Sequence, residues 1–313
     1  MMFPKEWIEQ AYLRLKNEVI QTPLTWDEQT ALSFKWENHQ ITGSFKVRGA
    51  LNRAFSLEEW ELERGLVCAS AGNHGQGVAY AAKRLGTSCI VFTYENASAL
   101  KVEQMRAWGA DVRFVSGNYA DAEQAAIEYA QRHKMTWISP YNDPQVIAGQ
   151  ATIGVELIEQ WAENIPESVV VPVGGGGLAA GIALAIQHLP NPPKVIGIQS
   201  EASPYFHALF HQGNKEKVVE WKSLADGLAG DLEESSITIP LVKSHLFDIR
   251  LVSEIEIAQA IRYAWENFQE RIEGSAAVTL AAVMSGKVQE FPATLIISGG
   301  NIDSSLFEKI IHS

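Results

Sequence analysis

Short apolar runs alternate along the chain with longer segments whose apolar positions recur at helical spacing. "GLVCASAG", "SCIVFTY", "DVRFVSG" and "MTWISPY" read as strands, and "NHGQGVAYAAKRLG", "ASALKVEQMRAWGA" and "YADAEQAAIEYAQRH" between them read as helices. Further on, "SVVVPV" leads into "LAAGIALAIQHL" and "KVIGIQS" into "SPYFHALFHQ". A long helical stretch, "SEIEIAQAIRYAWENFQERI", precedes a last strand, "ATLIISGGN". Repeated strand, glycine turn and helix predicts an α/β fold with parallel sheets and helices on both faces. The last strand is expected to rejoin the sheet holding "VVVPV". That places a smaller unit, residues 66–142, inside a larger one built from residues 1–65 and 143–313.

Length and composition change this picture little. The 313 residues are 46% hydrophobic and 20% charged, enough to bury an enzyme-sized core. A net charge of -12 leaves no basic stripe for phosphate neutralisation, which argues against a nucleic-acid partner. Residues 168–193 carry no formally charged side chain, but Pro172 and the glycines at 174–177 break them into strand, loop and helix rather than a membrane span. With no secretory signal at the N-terminus, the expected location is the cytoplasm. Cys68 and Cys89 lie in apolar strand-like segments without metal-ligand spacing and are expected to be buried and reduced.

Candidate chemistry gathers at four turns: "TGSFK" (42–46), "SAGNHGQG" (70–77), "GGGGL" (174–178) and "SGGN" (298–301). The last three directly follow apolar strands, where open α/β sheets place their ligands. Gly174, Gly175, Gly176 and Gly177 before a helix let backbone N–H groups approach a phosphate. The same segment also fits G-x-G-x-x-A, with Glu201 at a distance suited to a ribose, so a dinucleotide oxidoreductase is a rival. In "SAGNHGQG", Asn73 reads either as a helix N-cap or, with Ser70 and His74, as part of a carboxylate-binding turn. Ser298 is either a turn residue or a neutral hydrogen-bond partner for a heteroaromatic nitrogen. Lys46, beside Phe45, is either solvated or a partly desolvated amine fit for Schiff-base chemistry.

Taken as a set, "TGSFKVRGALN", "SAGNHGQGVAYAAK", "VPVGGGGL" and "SGGN" resemble the fold-type II pyridoxal-phosphate enzymes, in particular the threonine/serine dehydratase and serine racemase group. The likeness runs from "TPL" at Thr22 through "SGGN", with "DPQVIAGQATIGVEL" and "ADGLAG" also similar to family segments. It implies two open twisted, mostly parallel sheets of the tryptophan synthase β type. It further implies that Lys46 joins pyridoxal 5'-phosphate through a Schiff base, with Phe45 packed on the ring. Gly174, Gly175, Gly176, Gly177 and Leu178 would hold the phosphate, Asn73 the phenolic oxygen and Ser298 the pyridine nitrogen. Ser70, Ala71, Gly72, Asn73 and His74 would hold the substrate carboxylate.

The activity so implied is an ammonia-lyase, converting L-threonine, L-serine or a similar β-hydroxy amino acid such as hydroxyaspartate to a 2-oxo acid and ammonia. An amino-acid racemase is the alternative. Racemising members carry a serine two residues before the asparagine of the turn, and Ala71 stands there, which favours elimination. At the family's divalent-cation site the matching positions are Gln199 and Tyr205, so no metal is predicted, although Glu201 is close by. No sequence after "SGGN" remains for a C-terminal regulatory domain, so feedback through one is not expected. A small-molecule substrate and a homodimer or homotetramer complete the expectations.

Overall fold

A computed structural model describes residues 3–27 and 29–312. Among them ten strands form two sheets. In chain order the strands are β1 (Leu24–Asp27), β2 (Leu32–Trp36), β3 (Leu66–Ala69), β4 (Cys89–Tyr94), β5 (Asp111–Val115), β6 (Thr136–Trp137), β7 (Ser168–Pro172), β8 (Lys194–Ser200), β9 (Asp248–Val252) and β10 (Ala293–Ile297). The larger sheet has the order β1-β2-β10-β7-β8-β9 and the smaller β5-β4-β3-β6. Every pairing is parallel except the β1–β2 hairpin. As expected, the last strand returns to the sheet of "VVVPV": β10 pairs with β7.

Strands covered by helices on both faces are withdrawn from water along their whole length, and β3, β7 and β10 are buried at every position, with the hydroxyls of Ser168 and Thr294 hydrogen-bonded inside. Cys68 and Cys89 are free thiols inside this packing, and burial pushes Cys89 up to about 12. Residues 168–193 form a strand, a loop and the helix Gly177–Ile186, and no helix among the described residues is long and apolar enough to cross a membrane. The stretch 253–272 is not one helix throughout. It runs Glu254–Phe268, capped by Ser253, and stops where Gln269 takes a left-handed conformation at φ 57°. Residues 269–273 then turn back to the end of β10, where the Glu273 N–H donates to the Gly299 carbonyl at 3.1 Å.

The helix Lys46–Phe55, which begins at the candidate lysine, is held from beneath by buried charge. Arg48 donates from Nε and Nη2 to Glu37 at 2.8 Å each, and from Nη1 and Nη2 to Glu156 at 2.5 and 3.0 Å. Lys35, on β2, donates to the same Glu156, to the Thr22 carbonyl and to Gln160. Two cations and two carboxylates thus neutralise one another out of water. Burial alone pushes the Glu37 carboxyl up, but Arg48 outweighs it and holds Glu37 below its ordinary value. Close backbone packing supplies the other constraint. A Cβ on Gly149 would lie 2.6 Å from the Arg48 carbonyl oxygen and 2.7 Å from Gly49 Cα, so only glycine lets the helix Pro144–Trp161 approach so closely.

Candidate active site

The four turns converge. The Phe45 N–H donates to the Ser298 carbonyl at 3.1 Å, and the Gly300 N–H donates to the Gly43 carbonyl at 2.9 Å, joining "TGSFK" to "SGGN". Asn301 extends the link to the third turn: its Nδ2 donates to the Thr42 carbonyl at 2.9 Å and to Asn73 Oδ1 at 2.8 Å. The fourth turn is reached through the segment after β6. Lys46 Nζ donates to the Pro140 carbonyl at 2.9 Å, and at the neighbouring Tyr141 the ring occupies the space that a Cβ on Gly175 would need, while a Cβ on Gly177 would lie 3.2 Å from Tyr141 Cα and Cβ.

Lys46 is half-buried, and among the described residues its ammonium has no carboxylate in contact. Desolvation pulls it down to about 8, against the opposing pull of Glu273. A neutral amine is therefore populated near neutrality, as nucleophilic chemistry by lysine requires. The Phe45 ring lies beside it, its centroid 5.3 Å from Nζ. His74 is buried with Nε2 2.9 Å from the Ile138 carbonyl, and burial together with Lys46 lowers it to about 3, so the ring is neutral.

Two groups of backbone donors stand unpaired at helix starts in the turns joined to this lysine. Gly176, at φ 83°, turns the chain from β7 into the helix Gly177–Ile186. Among the described residues, the N–H groups of Gly174, Gly175, Gly176, Gly177 and Leu178 make no hydrogen bond. Unpaired donors at a helix N-terminus fit a phosphate. The second group lies at the start of the helix Asn73–Leu85, where the N–H groups of Ala71, Asn73 and His74 are likewise unpaired, while Gly72 donates to Ser70 Oγ at 3.0 Å. Gly72, not Asn73, is the N-cap, and the Asn73 side chain makes no cap bond. The capping alternative for Asn73 is thereby overturned: its amide is drawn instead to Asn301 and Glu273.

The sequence reading missed Glu273. Its carboxylate is buried, accepts from Asn73 Nδ2 at 2.6 Å and packs against Gly299. Burial raises it to about 7, partly opposed by Lys101 and reinforced by Asp226. The Ser298 hydroxyl, buried at the end of β10, has no protein partner among the described residues and is free to meet a ligand nitrogen. At the position matching a family cation ligand, Gln199 Oε1 accepts from the His207 N–H at 2.8 Å, and Glu201 is exposed.

A desolvated lysine, a cradle of unpaired N–H groups and an unpartnered serine hydroxyl fit pyridoxal phosphate: an amine for its aldehyde, donors for its phosphate and a neutral partner for its ring nitrogen.

Comparison with known proteins agrees. The family model described as pyridoxal-phosphate dependent enzyme matches residues 15–299. An L-threonine ammonia-lyase of Thermotoga maritima is 39% identical over 99% of this chain and 79% of its own length. A serine racemase of Dictyostelium discoideum is 36% identical over 97% of both chains. In three dimensions, the processed form of threonine deaminase isoform 2 from Solanum lycopersicum superposes with a TM-score of 0.89 at 30% identity, covering 98% of this chain and 92% of that one. The dinucleotide reading of residues 174–179 falls with these findings. The chain belongs to the family of pyridoxal-phosphate dependent enzymes.

Proposed function

We propose that the protein is an ammonia-lyase that removes the β-hydroxyl and the amine of L-threonine, L-serine or a similar β-hydroxy amino acid, releasing a 2-oxo acid. The observation that carries the proposal is Lys46: a desolvated amine, lowered to about 8, set among two groups of unpaired backbone donors. Pyridoxal phosphate, when bound, supplies an electron sink for the negative charge that develops at the substrate Cα.

The chain's own residues do the rest. Gly174 to Leu178 bind the phosphate through their N–H groups. The N–H groups of Asn73 and His74, with Ser70, bind the substrate carboxylate and fix the amino acid's orientation. Lys46 Nζ, as a neutral amine, accepts the proton from Cα. The C–O bond at Cβ then breaks, the hydroxyl leaves as water by taking up a proton equivalent to the one lost from Cα, and the unsaturated amine is hydrolysed by a second water to 2-oxo acid and ammonia. Ser298 offers the ring nitrogen a neutral hydroxyl, which favours elimination over transamination.

Ala71 weighs against racemisation, because no hydroxyl stands at that position to return a proton to the opposite face. Residues 66–142 form the smaller domain in this reading, and the assembly is a homodimer or homotetramer in the cytoplasm, consistent with the buried thiols of Cys68 and Cys89. The test is an assay of the holoenzyme with L-threonine, L-serine and hydroxyaspartate, following 2-oxo acid and D-amino acid together. Oxo acid in excess of D-product is the expected result; D-product formed faster than oxo acid would replace this reading with the racemase.

A further inference from the structure

Lys101 has no role in the chemistry above, yet it is one of the few lysines of the chain withdrawn from water. It belongs to the helix Ala99–Ala107, which follows β4 in the smaller sheet's layer. Its side chain is 11% exposed, and Nζ donates at 2.7 Å to Asp226, whose own side chain is 57% exposed. The pair crosses between layers, because Asp226 opens the short turn Asp226–Leu228 next to the phosphate loop. There Leu228 Cα would be 3.0 Å from a Cβ on Gly174, and the Gly227 N–H donates to Ser275 Oγ at 2.9 Å. The stem of Lys101 lies across the carboxylate turn: a Cβ on Gly72 would come 2.7 Å from Cδ and 3.4 Å from Cε.

We propose that the Lys101–Asp226 ion pair is a latch that holds the turn 70–74 against the larger sheet's loops, and that Lys101 is a positioning residue for the substrate carboxylate. The physical argument is an asymmetry in solvation. A buried ammonium that loses its contacting counter-ion is left with only the Glu273 carboxylate, which it feels without a hydrogen bond, so parting of the pair favours carrying the charge out to water and taking the stem off Gly72. Asp226, already in contact with solvent, loses little. Opening therefore frees the small-layer side of the site while the cradle 174–178 stays in place. Closing stacks the lysine stem on Gly72 and fixes the N–H groups of Asn73 and His74 at the site. Asn73, through Glu273 and Asn301, ties the same turn to the larger sheet's side from its other end.

The inference rests on the reading of residues 70–74 as the carboxylate turn, and its test is readable without turnover. Lys101→Met, Asp226→Asn and Lys101→Arg are compared with the unaltered holoenzyme by amide hydrogen exchange of residues 70–77 and by steady-state kinetics. Lys101→Met and Asp226→Asn are expected to speed exchange of 70–77 about tenfold and to raise KM about tenfold with kcat changed less than about threefold, as loss of a half-buried pair implies. Lys101→Arg keeps the charge and is expected to stay near the unaltered protein in both. Unchanged exchange and KM in Lys101→Met and Asp226→Asn would overturn the latch. So would a Lys101→Arg as impaired as Lys101→Met, which would assign the effect to packing on Gly72 instead of charge. Absence of oxo acid from the unaltered protein would sink the lyase reading and leave the exchange result standing, so the two failures are distinguishable.

Discussion

Asn73 Nδ2 lies 2.6 Å from Glu273 Oε1, joining the turn after β3 to the start of the helix Gly274–Met284 across the gap between the two sheets. Burial holds this carboxyl at about 7, well above its ordinary 4.5. A raised folded-state value means that the folded chain keeps a proton that the unfolded chain loses between those limits. The resulting stabilisation is complete below about pH 4.5 and disappears as pH rises through about 7. Glu273→Gln removes the titration. In the cofactor-free protein the variant is expected to gain on the parent as pH rises from 4.5 to 8, by roughly 3 kcal/mol at most. Urea denaturation at both pH values measures the gain; an identical difference at the two would refute the assignment.

Glu156 answers to both Lys35 and Arg48, and neither cation has water to turn to. Replacing one partner of such a network leaves an uncompensated buried charge. Glu156→Gln should therefore lower unfolding free energy by about 3–5 kcal/mol. A loss below about 1 kcal/mol in denaturant titration would place the cluster in contact with solvent, contrary to its burial.

Gly149 limits how near the helix Pro144–Trp161 comes to the helix that starts at Lys46. A methyl group there meets backbone, which cannot rotate away. Gly149→Ala is expected to destabilise by about 1–3 kcal/mol and to weaken cofactor binding by shifting the helix Lys46–Phe55. Titration of the cofactor-free protein, followed by visible absorption, checks the second effect. Parent-like affinity and stability together would show that the helices can separate freely.

In the proposed reading, Ala71 is the position that favours elimination over racemisation. Ala71→Ser is expected to raise D-serine formation from L-serine, while oxo-acid release falls or holds. A chiral assay with no increase in D-product would remove this position from the argument.

The buried strands and the three turns that follow them were legible because each is a local pattern, an unbroken apolar run and then glycines. β2 was not, since Lys35 interrupts its apolar run and the burial of that lysine depends on Glu156, far away in sequence. Glu273 was hidden for a related reason. It reaches the site only because the preceding helix ends at Phe268, earlier than the periodicity of 253–272 suggests. Lys101 carries no local sign of its ion pair, though it stands one turn before the buried Met105, on the same face. Asn73 was placed correctly at a helix start, but its side chain was drawn away from the cap by Glu273 and Asn301, partners that no local pattern reveals. What the sequence conceals in each case is a long-range polar contact.

The central claim is that Lys46 carries the cofactor. Borohydride reduction of the purified holoenzyme, followed by peptide mass mapping, tests it most directly. A yellow protein that bleaches on reduction and a stable cofactor adduct on the peptide containing Lys46 are the expected result. A colourless protein, or an adduct on any other lysine, would contradict it.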